Sequence, residues 1–128
     1  MNKQQLRSNL ARAKGLGSTH EGTDHFIQQR MTALALIPLV LWFCFAIAML
    51  PAMDYMSLRS WVQSPLNSIL LITIIVVSFY HLQLGLQVII EDYIATFYIK
   101  LSTIIVMKFV CFLLCITGVF STLMIAFT

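Results

Sequence analysis

The sequence predicts an all-α membrane protein: three transmembrane helices preceded by a polar, basic amino-terminal arm. Three observations predict it. Of 128 residues, 59% are hydrophobic and only 10% are charged, against about 25% charged in ordinary soluble domains; the mean hydropathy is +0.88. The uncharged stretches Met31 to Met53, Ser60 to Ile90 and Phe109 to Thr128 each reach the roughly 20 residues a helix needs to cross hydrocarbon. Lys3, Arg7, Arg12, Lys14 and Arg30 precede the first stretch, opposed only by Glu21 and Asp24. A soluble fold is excluded. A chain this short has no room for three spans plus an aqueous catalytic domain, so any enzymology is shared with partners or carried out inside the bilayer.

Residues 1–30 form the arm and residues 31–128 the membrane domain. The arm lacks the apolar run of a secretory signal, and its acid-poor, Arg-bearing start leaves a mitochondrial presequence as the minority reading. Gly15-Leu16-Gly17-Ser18 reads as a flexible joint. Span one covers about residues 31–50 and stops near Pro51, with Pro38 expected to kink it by removing one helical hydrogen bond. A loop from Pro51 to Pro65 holds Asp54 and Arg59 as its only charges. Span two covers about residues 67–90, and Glu91-Asp92-Tyr93 with Lys100 marks the next turn. Span three covers about residues 101–127; Lys108 lies two turns into it, where its stem can return the ammonium to the surface. Five Lys and Arg on the arm, with Lys100 and Lys108 at the second turn, against Arg59 alone on the other side, put the amino terminus in the cytoplasm.

One strongly polar titratable side chain lies deep in a span. His81 is nine residues from the end of span two, about 13 Å of helix rise. An imidazole there needs a partner: a metal, a haem iron, a proton relay, or a hydroxyl or carbonyl of a neighbouring helix. Gly85 follows one turn later on the same face, which leaves space for a flat macrocycle and equally permits close helix packing. No second histidine lies in any span, so a six-coordinate haem would take its other axial ligand from another subunit. Asp92, eleven residues on, returns within about 20° of the face of His81 and roughly 16 Å nearer the cytoplasm. With Tyr93 it forms either a polar rim able to hold a carbonyl of a lipid-soluble ligand or a common helix end. Arg30 is an anchor to lipid phosphates or a fixed charge for a carboxylate ligand, and His25 is ambiguous. Cys44, Cys111 and Cys115 make neither a disulfide framework nor a metal site. Phosphate-binding loops, HExxH and nucleophile elbows are absent from the sequence.

The stretch His81-Leu-Gln-Leu-Gly85-Leu-Gln-Val-Ile-Ile-Glu91-Asp92-Tyr93 resembles the second span of the small hydrophobic anchor subunit of succinate dehydrogenase (complex II), where a histidine is followed by glycine four residues on and by Asp-Tyr eleven and twelve on. Gly22-Thr-Asp-His25-Phe-Ile-Gln-Gln-Arg30-Met-Thr-Ala33 resembles that family's entry to span one. The resemblance runs from about Gly15 to Thr128, although span three matches only in hydrophobicity, and Glu91 before Asp-Tyr is closest to alphaproteobacterial versions. It implies that His81 is one axial ligand of haem b, with the partner cytochrome b556 subunit supplying the other. It implies also that Tyr93 hydrogen-bonds a ubiquinone carbonyl with support from Asp92, and that Arg30 and His25 lie near the haem propionates and quinone entrance.

By the same resemblance the flavoprotein and iron–sulfur subunits oxidise succinate in the aqueous phase, while this chain is non-catalytic by itself and holds them at the bacterial inner membrane. Its partners are those subunits and lipid, with no nucleic acid. Three rival functions remain at this point: the anchor of a fumarate reductase, a small transporter or proton-conducting protein in which His81 is a relay group, and a purely structural membrane spacer.

Overall fold

The computed structural model describes residues 20–128, with side chains from Gly22 onward. The arm's cations Lys3, Arg7, Arg12 and Lys14 and the expected Gly15–Ser18 joint lie outside the described residues. Among the described residues the structure is helical apart from short connections, with four helices in order: α1 (His20–Ala48), α2 (Tyr55–Gln63), α3 (Pro65–Tyr93) and α4 (Phe97–Phe127). Helices α1, α3 and α4 are long and apolar enough to cross a membrane. At 29, 29 and 31 residues and about 1.5 Å per residue, each exceeds the ~30 Å hydrocarbon thickness by several turns.

The surplus in α1 lies at its start. The helix is already formed at His20, so Asp24, His25, Gln28, Gln29 and Arg30 are displayed at helical spacing instead of trailing from a loop. Pro38 sits inside α1, which runs on through it; membrane helices tolerate proline where neighbours or local adjustments satisfy the freed carbonyl.

The connection read as a loop contains α2. Leu58, Trp61 and Val62 recur at helical spacing there, Val62 is buried, and Asp54 stands at the N-cap, its carboxyl held below the ordinary carboxylate value by the Ser57 hydroxyl. Ser64 ends α2 and starts α3, and Pro65 follows at the first helical position, where its missing N–H costs nothing. The Asn67 side-chain amide donates to the Trp61 carbonyl at 2.9 Å and ties the corner. Trp61 in turn stacks on Trp42 of α1 at 5.8 Å and meets Phe43 edge-on at 6.4 Å, so one aromatic cluster joins this end of the bundle.

Helix α3 is central. It packs against α1 on one side and α4 on the other, while α1 and α4 do not pack on each other; α2 rests on α3 and α4. Helices α3 and α4 approach closely at Gly118, where a Cβ would come within 3.2 Å of Ile75 Cγ2. Thr122, one turn on, is buried and returns its hydroxyl to the Gly118 carbonyl at 2.9 Å. Small and self-satisfied polar residues let helices approach in lipid, where apolar contact alone offers little preference for a neighbouring helix over acyl chains.

Among the described residues, Val62, Leu84 and Cys111 are the buried hydrophobic ones. Phe45, Phe109 and Phe120, by contrast, are each more than 60% exposed. The chain thus has almost no core of its own; its surface is made for lipid and protein neighbours. All three cysteines are free, and Cys111 packs its sulfur 4.0 Å from Met107 Sδ, as small apolar filling. No group of three metal-ligating side chains is found among the described residues.

Candidate functional site

His81 projects from the middle of α3 towards α1. Its Nδ1 lies 2.9 Å from Thr32 Oγ1, and the ring forms part of a shallow groove of about 400 Å³ along Ala33, Leu36, Ile37, Val40 and Leu41 of α1. The groove is open to the outside of the bundle and almost wholly apolar apart from the imidazole. Thr32 can reach the ring because it stands on the α3-facing side of α1, and its hydroxyl also lies 2.9 Å from the Gln28 carbonyl and 3.0 Å from that of Gln29. One ring nitrogen is therefore tethered inside the bundle, and the other has no hydrogen-bond partner among the described residues.

Gly85 lies one turn from His81 and faces Gln29 of α1. A Cβ there would meet Gln29 Nε2 at 3.8 Å, an ordinary contact. Close packing within this chain does not require glycine at that position.

The residues singled out at the start of span one separate onto two faces. Arg30, Ala33 and Ile37 follow the i, i+3, i+7 rule, so Arg30 continues the stripe that walls the groove beside His81. Its guanidinium lies 5.1 Å over the Phe26 ring, an arrangement that holds the charge on that outer stripe. His25 is about 140° away around the helix and shares the inward stripe of Thr32. It lines a different cleft, of about 320 Å³, with Asp24 and Gln28 of α1, Tyr80, Gln83 and Gln87 of α3, and Lys108 of α4. The His25 Nε2 is buried there without a hydrogen-bond partner. Lys108, expected to lead its ammonium along the helix to the surface, lines the same cleft.

Asp92 and Tyr93 stand at the end of α3. They lie on the same unbroken helix as His81, some 16–18 Å further along by rise. Both are exposed, Tyr93 to 85%. The neighbouring Glu91 accepts a hydrogen bond from the Gln87 amide at 2.8 Å, so the acid next to Asp92 is occupied within its own helix. A cavity of about 550 Å³ between α3 and α4 is apolar apart from Ser102 and Thr103 and touches none of these residues.

Sequence reasoning passed over Thr32, and with it the Gln28–Tyr80 pair, in which the phenol donates to the Gln28 amide oxygen at 2.9 Å. The signal was available. His25, Gln28 and Thr32 on α1 and Tyr80, Gln83 and Gln87 on α3 are polar residues at i, i+3, i+7 in otherwise apolar helices, the pattern of two polar stripes that face each other.

Three long apolar helices with few buried residues among those described, together with an imidazole tethered between two of them, define a polytopic membrane protein. The comparisons carry this further. Residues 4–115 match the family described as succinate dehydrogenase/fumarate reductase transmembrane subunit. The chain is 33% identical over 103 residues, 80% of its own length and 82% of the relative's, to the succinate dehydrogenase hydrophobic membrane anchor subunit of Rickettsia bellii. It is 29% identical over 107 residues to that of Rickettsia conorii, covering 83% and 85% of the two chains. It is 30% identical over 81 residues to that of Paracoccus denitrificans, covering 63% of each. No solved structure matches. The chain belongs to the succinate dehydrogenase/fumarate reductase transmembrane-subunit family, and it resembles the alphaproteobacterial hydrophobic membrane anchors.

Proposed function

We propose that this protein is the non-catalytic membrane anchor of a succinate:quinone oxidoreductase, that His81 is one axial ligand of a b-type haem shared with a cytochrome b subunit, and that Tyr93 and Asp92 form part of a ubiquinone site. The observation that carries the reading is the state of His81: one nitrogen is tied to Thr32, and the ring opens on an apolar groove. The residues present fit the group. A flat macrocycle needs a small residue beside its ligand, and Gly85 is small where nothing in the chain itself demands it. Ala33 keeps the α1 wall low next to the ring. Arg30, on the stripe that continues that wall, is a bidentate partner for a propionate carboxylate. His25 belongs to the inward cleft, from which it serves the quinone entrance or the polar end of the bundle.

When bound, the haem would supply a one-electron carrier inside the membrane. The chain's own residues bind and orient. Tyr93 offers a phenolic hydroxyl to a carbonyl oxygen, and Asp92 supports it from the preceding position on the same helix end. The excess of Lys and Arg on the arm and near the α3–α4 turn supports a cytoplasmic amino terminus in a bacterial inner membrane, with flavoprotein and iron–sulfur subunits docked on that side. The matched family covers fumarate reductases as well; the quinone that copurifies with the complex separates the two directions.

The test is a reduced-minus-oxidised optical spectrum of the purified complex, wild type against His81→Ala. Loss or displacement of the b-type bands is expected. An unchanged spectrum and haem stoichiometry in the variant would remove His81 from the ligand set.

A further inference from the structure

The proton count around the Thr32 hydroxyl assigns this residue a role. The oxygen has three polar neighbours: His81 Nδ1 at 2.9 Å and the carbonyls of Gln28 and Gln29 at 2.9 and 3.0 Å. A hydroxyl has one proton and two lone pairs. Carbonyl oxygens only accept, so if the proton went to Nδ1, the Thr32 lone pairs would face two carbonyl oxygens at hydrogen-bond distance with nothing between them. The arrangement is satisfied the other way round. The hydroxyl donates back to its own helix, as threonine does in helices, and accepts a proton from the imidazole. His81 is then the Nδ1–H tautomer, and Nε2 carries the free lone pair.

We infer that Thr32 is a positioning residue for His81, fixing both the tautomer and the angle of the ring so that an unprotonated Nε2 is presented at the groove. The inference deepens the haem reading and rests on it for its purpose, but the hydrogen bond itself does not depend on a haem. Ligating histidines owe their orientation and basicity to the acceptor on their other nitrogen. In this chain that acceptor is a hydroxyl from a different helix, so the α1–α3 contact and the ligand geometry are one and the same bond. The stem of the device is stiff, because Thr32 is β-branched and its hydroxyl is locked to the turn below. Ala33, the next residue, walls the groove, so α1 supplies the tether and the wall from adjacent positions.

The first measurement needs no haem and leaves Thr32 in place. Full-length chain with ¹⁵N-labelled histidine, prepared without haem in lipid bilayers, is examined by solid-state NMR, with His81→Gln identifying the signal. A protonated Nδ1 and an unprotonated Nε2 are expected; the opposite tautomer overturns the inference. The second uses the complete complex. Thr32→Val, which keeps the shape and removes the acceptor, should raise the haem midpoint potential, since a ligand without its acceptor donates less electron density to ferric iron. Thr32→Ser should restore the wild-type value. A wild-type potential in Thr32→Val overturns the positioning role. If the haem signal instead survives His81→Ala unchanged, the ligand assignment fails, while the tautomer measurement still decides the hydrogen bond.

Discussion

Of the glycines described, Gly118 has the least room for a side chain, and a double-mutant cycle there tests the α3–α4 interface quantitatively. In Gly118→Ala the new methyl would stand 3.2 Å from Ile75 Cγ2 and 3.6 Å from its Cδ1, against an optimum of about 3.5–4.0 Å for carbon pairs. Ile75 is β-branched and held in one preferred rotamer within a helix, so Cγ2 has nowhere to swing. The α4 backbone is braced by the Thr122 hydroxyl on the Gly118 carbonyl. Overpacking of this kind costs about 1–3 kcal/mol, and replacing glycine by alanine in a helix returns at most about 1 kcal/mol of propensity. A net loss of about 1 kcal/mol is expected. Ile75→Ala removes both offending atoms and is destabilising by itself through the void it leaves. Combined, the two changes should compensate, with a coupling energy of about 1 kcal/mol or more. The assay is SDS-induced unfolding of the full chain in mixed micelles, followed by tryptophan fluorescence, with ΔΔG from the midpoints. A stabilised Gly118→Ala, or strict additivity in the double variant, would refute the close approach.

Other expected outcomes follow from the same geometry. Gly85→Ala should leave the unfolding midpoint of the chain unchanged or slightly raised, because 3.8 Å is an ordinary contact, yet lower haem occupancy in the complex; equal haem content would return Gly85 to a packing role. Trp61→Ala should loosen the end of the bundle by about 1–3 kcal/mol, since it removes the stacked contact to Trp42 and the edge contact to Phe43, and faster proteolysis of the α1–α2 connection would report it. Tyr93→Phe should raise the KM for quinone by about tenfold, the cost of an acceptor left without its donor being roughly 1–3 kcal/mol. Succinate oxidation with a soluble dye acceptor should stay unaffected.

The three long helices were legible in the sequence because crossing hydrocarbon is a requirement on length and polarity alone, and Met31–Met53, Ser60–Ile90 and Phe109–Thr128 announce it. Helix α2 was not. A nine-residue segment is too short to be stable in isolation, and only the burial of Val62 and the stacking of Trp61 under the bundle explain its presence. The helical start of α1 ahead of the span was not legible either, since polar residues such as Asp24, Gln28 and Gln29 end a hydropathy window without ending a helix. At the candidate site, the depth of His81 and its alignment with Gly85 and Asp92 follow from counting along one helix. The separation of Arg30 from His25 follows from counting as well, once α1 is known to be helical from His20. Counting places Thr32 on the polar stripe of α1, but not its pairing with His81, which depends on which face of α1 meets which face of α3, a relation between segments 49 residues apart.

That relation is itself set by the polar residues. In lipid, a leucine on α1 gains little by facing α3 instead of an acyl chain, so apolar residues leave the rotation and register of the two helices almost undetermined. The hydrogen bonds from Tyr80 to Gln28 and from His81 to Thr32 do determine them. Sliding α1 by one turn, about 5.4 Å, would break both and take from Tyr80 and His81 these partners on α1. Under the proposed haem ligation, His81 would be both the ligand and one of the side chains that place its own helix, and a substitution at Thr32 would act on the ligation and on the α1–α3 register in the same step. The two effects move together, because one hydroxyl carries both: Thr32→Ser, which keeps the hydroxyl and gives up the β-methyl, should preserve the register bond and the ring tautomer, whereas Thr32→Val should lose both at once.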